Sequence, residues 1–70
     1  MDFDSTVRYV FKKEYKTIPV NSELRFFNGL WYMNGGMLDP RYKSMIEGLL
    51  NNKAFFDEYI KVVKIIKDKV

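Results

Sequence analysis

The side chains that most often perform catalysis or bind transition metals are missing from this chain. Its 70 residues include no cysteine and no histidine, which excludes thiolate nucleophiles, imidazole bases and the usual zinc ligands. Serine, tyrosine, lysine and carboxylate side chains remain, but no motif places a base beside a serine, and the acids Glu47, Asp57 and Glu58 fall on predicted helix surfaces. We therefore predict no enzymatic activity, no metal, no cofactor and no small-molecule substrate.

The residues best suited to binding surround a predicted turn at Asn28-Gly29. Asn-Gly is a favoured pair for the type I′ turn of a two-residue β-hairpin, because both central residues need a positive φ. Pairing around this turn sets Phe27 opposite Leu30, Phe26 opposite Trp31, Arg25 opposite Tyr32 and Leu24 opposite Met33. Since side chains alternate along a strand, one face carries Leu24, Phe26, Trp31 and Met33, and the other carries Arg25, Phe27, Leu30 and Tyr32.

Both faces of this hairpin are rich in apolar side chains, although a small sheet needs only one such face for its core. We expect the face with Trp31 to cover the rest of the domain and the opposite face to stay outside; the alternative is that the terminal helix folds around and covers the second face as well. The predicted partner-binding residues are Phe27, Leu30 and Tyr32, with Arg25 and Trp31 in support. Aromatic side chains beside an arginine are the composition found at interface hot spots.

Two further strands are predicted before the hairpin. Residues 5–11 alternate as a strand does, and residues 17–20 predict a short edge strand because they include Pro19. After the hairpin, Asn34-Gly35-Gly36 predicts no regular structure and is interpreted as a bulge or a flexible bend.

Two helices are predicted in the second half of the chain. Asp39-Pro40 begins the first, since Asp accepts hydrogen bonds from free backbone N–H groups and Pro suits the first helical position. Its apolar stripe ends before Asn51-Asn52 and consists of Tyr42, Met45, Ile46, Leu49 and Leu50. Residues 53–70 repeat their apolar side chains at a helical period and predict a second helix, although the β-branched stretch VVKII would also suit a strand.

Together these elements predict one α+β domain over residues 1–70, a small antiparallel β-meander of three or four strands packed against two C-terminal helices. A chain this short buries only about 60% of its unfolded surface, which favours dense aromatic packing or a partner. No apolar run approaches the roughly 20 residues of a membrane span. The N-terminus lacks the basic and apolar regions of a signal peptide, so we expect a cytoplasmic protein.

A protein partner or a second copy of the chain is the main prediction for what this protein binds. Nucleic acid is the alternative, because the net charge is +3 and a basic patch could surround the aromatic platforms Phe27, Trp31 and Tyr32. That patch would consist of Arg8, Lys12, Lys13, Lys16 and Arg25. The terminal segment also looks like an interfacial helix, because Lys61, Lys64, Lys67 and Lys69 lie beside a broad apolar face. So small a domain needs that apolar face for its core, however, and we predict no membrane binding.

A hairpin at Arg25-Phe26-x-Asn28-Gly29, a helix begun by Asp39-Pro40 and the stretch LLNNxxFF at residues 49–56 follow one another in this chain. This order resembles small proteins encoded in tailed-phage and prophage genomes, in which I-R-F-x-N-G-x-Y-x-T precedes D-P-E-x-I-E-x-L and a compact aromatic end. The similarity covers roughly residues 22–56; Gly35-Gly36 and a long C-terminal segment depart from the pattern. The resemblance implies a viral, non-enzymatic protein with an assembly-related or host-modulating role, in the host cytoplasm or the virion.

Overall fold

The computed structural model describes residues 3–65, which form one antiparallel sheet with a helical layer on one of its faces. The strands are β1 (Val7–Phe11), β2 (Glu23–Phe27), β3 (Leu30–Met33), β4 (Gly36–Met37) and β5 (Ile60–Lys64). A 3₁₀ turn (Pro40–Tyr42) leads into α1 (Lys43–Asn51) and α2 (Lys53–Tyr59). The strand order is β4-β3-β2-β1-β5. The predicted α+β class is confirmed, with five strands in the described chain instead of three or four.

The central hairpin, β2–β3, has the register that the sequence predicts. Arg25 pairs with Tyr32 and Phe27 with Leu30. Asn28 has a φ of 57° and Gly29 a φ of 80°, and positive values at both central residues are what a type I′ turn requires. The turn chemistry alone is therefore enough to set which side chains share a face.

A second Asn-Gly turn follows directly and was not expected. Asn34 and Gly35 have φ values of 51° and 89°, and they join β3 to β4, where Tyr32 pairs with Met37. The prediction of an irregular Asn34-Gly35-Gly36 bend is wrong, because the same dipeptide chemistry acts here as at Asn28-Gly29.

The predicted strand at residues 17–20 is also wrong. Tyr15 and Ile18 form an isolated bridge with N···O distances of 2.9 and 2.8 Å. Lys16 and Asn21, which flank residues 17–20, have positive φ values of 53° and 73°. These values lie outside the range of a β-strand, so the chain turns at both ends of this short segment. The segment is a compact loop, and the buried hydroxyl of Ser22 closes it by donating to the Pro19 carbonyl oxygen at 2.7 Å.

The second helix is confirmed over residues 53–59 and wrong beyond them. Asn52 caps α2 by accepting from the backbone N–H of Phe55 at 3.1 Å, but the chain then extends as β5, which pairs with β1 at five positions from Phe11–Ile60 to Val7–Lys64. Val62, Val63 and Lys64, the first residues of the β-branched stretch VVKII, lie in this strand, because β1 offers an unpaired edge at this point. Residues 66–70 of the predicted helix lie outside the described chain.

The helical layer crosses the sheet from the β4 edge to the β5 edge and covers one face, which we call the inner face. Ile46 and Leu50 of α1 are buried against it, as the predicted stripe requires. Tyr42 and Met45 of the same stripe are 43% and 53% exposed. They fall at the start of the layer, where the 3₁₀ turn precedes α1, and the helix turns them away from the sheet.

The core is a set of aromatic and aliphatic side chains between the inner face and the helices. Trp31 is only 2% exposed, and its indole Nε1–H donates to the Glu47 carboxylate at 3.1 Å. Aromatic rings join it from three directions, with centroid distances of 5.1 Å to Phe3, 5.1 Å to Phe26 and 6.1 Å to Tyr9. The other buried members are Val7, Phe11, Leu24, Ile46, Leu50 and Ile60.

Replacing Phe11 tests how far stability depends on this core. Phe11 is 2% exposed, and Phe11→Ala should lower the free energy of unfolding by about 3–5 kcal/mol because it leaves a cavity. That is close to the whole core contribution of roughly 3–5 kcal/mol in an unstapled domain of this size, so the variant should be largely unfolded without denaturant. Phe27→Ala, at a 51% exposed ring, should cost under about 1 kcal/mol. Urea titrations followed by the fluorescence of the single tryptophan measure both; equal losses would contradict this core.

Stability should also fall at alkaline pH through Tyr9. Burial among aromatic rings raises the pKa of the Tyr9 phenol above the ordinary value of 10.0. The unfolded chain deprotonates first, so the stability contributed by Tyr9 is complete below pH 10.0 and is lost as the pH rises through the folded-state pKa. The free energy of unfolding of Tyr9→Phe should therefore decline less steeply than that of the wild type in this range. Urea titrations at a series of pH values make the comparison, and parallel curves for the two proteins would refute the role of Tyr9.

Candidate binding face of the sheet

The face of the sheet opposite the helices, which we call the outer face, is defined by the strand register. Directly paired residues point the same way, and the pairs Phe27–Leu30, Arg25–Tyr32, Tyr32–Met37, Val10–Glu23 and Arg8–Val63 alternate with the core pairs. Within residues 3–65 no helix packs on this face, since every helical residue of the core contacts the inner one.

The structure brings four of the five predicted binding residues together on the outer face. Phe27 is 51% exposed, Leu30 and Tyr32 are half-buried, and Arg25 is exposed. The Arg25 guanidinium carbon lies 5.9 Å from the centroid of the Phe27 ring, within cation–π distance. These side chains form one continuous patch over β2 and β3.

Trp31 lies on the other side of the same hairpin. It is 2% exposed and packs in the core, so a partner on the outer face does not reach it. Its support for the patch is indirect: it anchors β3 to α1 through the hydrogen bond to Glu47.

Two depressions lie side by side on the outer face. The first, of about 400 Å³, is lined by Arg8, Glu23, Arg25, Phe27, Tyr32, Asn34 and Gly35. The second, of about 410 Å³, is lined by Arg8, Arg25, Val63, Lys64 and Ile65. Arg8 and Arg25 line both, so the two depressions together form a trough that crosses β3, β2, β1 and β5, with the arginine pair at its middle.

An ion pair shapes the floor of this trough. The Nη1 of Arg8 donates to the Glu23 carboxylate at 3.1 Å, and the two side chains are 40% and 43% exposed. The backbone N–H of Glu23 donates to the Asn34 side-chain oxygen at 3.0 Å. The Nε–H of Arg8 is buried and has no acceptor within residues 3–65. Glu23 thus engages Nη1 of the guanidinium, which presents five N–H donors in total.

The predicted basic patch is divided between two parts of the molecule. Arg8 and Arg25 lie in the trough, but the three lysines lie towards the helical layer and the loop after β1. Lys12 donates to the Asp57 carbonyl oxygen at 2.8 Å, and Lys13 pairs with Glu58 at 2.8 Å. Lys16 lies over the Tyr15 ring at 5.6 Å. The structure does not bring these lysines together with the arginine pair.

The chemistry available in the trough is recognition of charge and apolar surface. Glu23 is the one carboxylate among the described lining residues, and it is already paired with Arg8. No group of three or more carboxylates in residues 3–65 is placed to hold a metal ion. No helix in the described part of the chain is long and apolar enough to span a membrane.

Several residues of the trough were not among the five predicted partner-binding residues, although Arg8 was a member of the predicted basic patch. Arg8 and Glu23 point away from the core by strand alternation, so the residue pattern of β1 and β2 already contained that signal. Val63 and Lys64 had no such signal, because the segment was predicted as a helix. Their position next to Arg8 follows from the pairing of β5 with β1.

Comparison of the chain with protein-family models, with curated proteins and with solved structures finds no match. The functional argument therefore depends on the geometry and chemistry of the outer face.

The Arg8–Glu23 pair should be dispensable for folding. Both side chains are about two-fifths exposed, and ion pairs with that exposure contribute at most about 1 kcal/mol. Glu23→Gln should therefore lower the free energy of unfolding by less than about 1 kcal/mol, as should Glu58→Gln, which removes the more exposed pair with Lys13. Urea titration measures both; a loss of more than about 2 kcal/mol in Glu23→Gln alone would make the pair a structural element instead of part of a binding surface.

Proposed function

We propose that this protein is a small non-enzymatic binding protein that contacts another protein through the outer face of its central hairpin. Phe27, Leu30 and Tyr32 provide the apolar contact, and Arg25 provides a charged, planar group beside them. In keeping with the resemblance to small tailed-phage and prophage proteins, we propose a viral origin and an assembly-related or host-modulating role, in the host cytoplasm or the virion.

The observation that carries this proposal is the exposure of Phe27. A phenylalanine that is 51% exposed, beside the half-buried Leu30 and Tyr32, places apolar surface in water with no covering element in residues 3–65. Contiguous exposed apolar patches with aromatic and arginine members are typical of protein interfaces. Phe27, Leu30 and Tyr32 are not members of the core cluster, so the apolar composition of this patch is accounted for better by a partner than by folding.

Nucleic-acid binding is the second candidate, supported by Arg8 and Arg25 on the same face as two aromatic rings. Three features of the site weaken it. The lysines at positions 12, 13 and 16 lie elsewhere, the Glu23 carboxylate lies in the trough, and the Phe27 ring already has a guanidinium over it. A protein partner accounts for the exposed apolar surface better.

A double substitution at the centre of the patch should abolish partner binding without unfolding the domain. Affinity capture from a bacterial lysate should retain one or more proteins on the wild type that are lost on Phe27→Ser/Leu30→Ser, because the substitutions remove the apolar contact. Tyr42→Ser/Met45→Ser is the matched control, since it changes two exposed apolar residues of the helical layer and should retain the same proteins.

Size-exclusion chromatography with light scattering separates self-association from binding to a different protein. A wild type that remains monomeric over the whole concentration series would rule out the second copy as partner. Identical capture by the wild type and the outer-face variant, with both folded by circular dichroism, would contradict the proposed function.

A further inference from the structure

Arg8 and Arg25 are neighbours on adjacent strands in the middle of the outer face. β1 pairs with β2 at Tyr9–Leu24, so the next position along the antiparallel register sets the two arginines side by side. Arg8 and Arg25 each line the two depressions that form the trough. Like charges opposite each other on neighbouring strands destabilise a sheet, and an anionic group between the two guanidiniums would relieve that repulsion.

The trough has an excess of positive charge. Among the side chains that the strand register sets on the outer face, its described lining contains two cations, Arg8 and Arg25, against the single carboxylate of Glu23. Glu23 engages only Nη1 of Arg8, and a guanidinium presents five N–H donors. Within residues 3–65, no carboxylate lies within ion-pair distance of Arg25. Both arginines therefore have donors free for a carboxylate from another molecule.

Apolar groups flank the arginine pair on both sides. Phe27 and Tyr32 line the trough towards β3, and Val63 and Ile65 line it towards β5. A ligand that fits has an anionic group in the middle and apolar groups on either side, which is the chemistry of an extended peptide and not of a phosphodiester backbone. The four strands span about 14 Å, the length of four or five extended residues.

The outer face of a second copy of this chain does not complement the charge of the trough. Two outer faces in contact around a two-fold axis would bring two arginine pairs together, while each Glu23 is already engaged with its own Arg8. Charge complementarity thus favours a different chain, one that carries acidic side chains.

We propose, as an extension that rests on the function above, that the trough binds an extended acidic segment of a partner protein. One carboxylate of that segment bridges Arg8 and Arg25, and the apolar side chains next to it lie against Phe27 and Tyr32 on one side and Val63 on the other. The arginine pair is thus the specificity element of the interface, and the hairpin patch supplies its apolar contact.

Selection of a yeast-displayed library of random peptides tests this proposal without a known partner. Peptides about ten residues long exceed the extended length needed to cross four strands. Peptides selected on the biotinylated wild-type chain should be enriched in Asp and Glu next to apolar residues. In fluorescence anisotropy, a selected peptide should bind Arg25→Gln roughly tenfold or more weakly, the loss expected for a charge-assisted pair. Arg41→Gln, an equivalent change at an arginine of the 3₁₀ turn, should bind as the wild type does.

Two further measurements distinguish recognition from a structural effect. Replacing the acidic residues of the peptide by their amides should weaken binding to the wild type but not to Arg25→Gln. Glu23→Gln should bind the acidic peptide more tightly than the wild type, since it frees Nη1 of Arg8; loss of fold would weaken binding instead.

The outcomes separate this inference from the proposed function. Suppose that the selected peptides are not enriched in acidic residues but still fail to bind Phe27→Ser/Leu30→Ser. That result would overturn the inference of an acidic partner and leave the proposed protein-binding face in place. Peptides selected no better by the wild type than by that variant would overturn both. If labelled oligothymidine binds the wild type more tightly than the acidic peptides do, and this binding is lost in Arg25→Gln, the inference would be overturned in favour of nucleic acid.

Discussion

The organisation of this domain depends on how much sheet two short helices can cover. α1 has nine residues and α2 has seven, so the longer is about 14 Å long, whereas five strands span about 19 Å. One layer of this size covers a single face. The inner face accordingly holds the core cluster, in which Phe11, Leu24 and Trp31 are each 2% exposed, and in residues 3–65 no helix covers the outer face.

The pairing of β5 with β1 determines what the outer face can do. Without β5, β1 would be an edge strand and Arg8 would lie at the rim of the sheet. With β5 in place, β1 has a neighbour on each side, Val10 is buried between Glu23 and Lys61, and Arg8 lies between Arg25 and Val63. A charged side chain in the middle of a sheet is partly desolvated, which strengthens its interaction with any anion that it meets.

Under the proposed function, stability and recognition depend on opposite faces of one sheet. The inner face combines apolar burial with one anchored polar contact, the hydrogen bond from Trp31 to Glu47. The outer face combines exposed apolar side chains with half-exposed charges, which contribute little to folding but can select a partner by charge. Side chains of the outer face are therefore free to serve binding at small cost to a marginally stable domain.

The sequence by itself determined the central hairpin, its register and its two faces, because a type I′ Asn-Gly turn and side-chain alternation are local effects. The same chemistry predicts the turn at Asn34-Gly35, so β4 (Gly36–Met37) was also within reach of the sequence. Residues 60–64 are different. Their apolar spacing suits a helix and their β-branched side chains suit a strand, and only the open edge of β1 decided between the two. The trough was for the same reason a product of the tertiary structure: the sequence places Arg25 beside Phe27, but Arg8 and Val63 join them only through strand pairs that are distant along the chain.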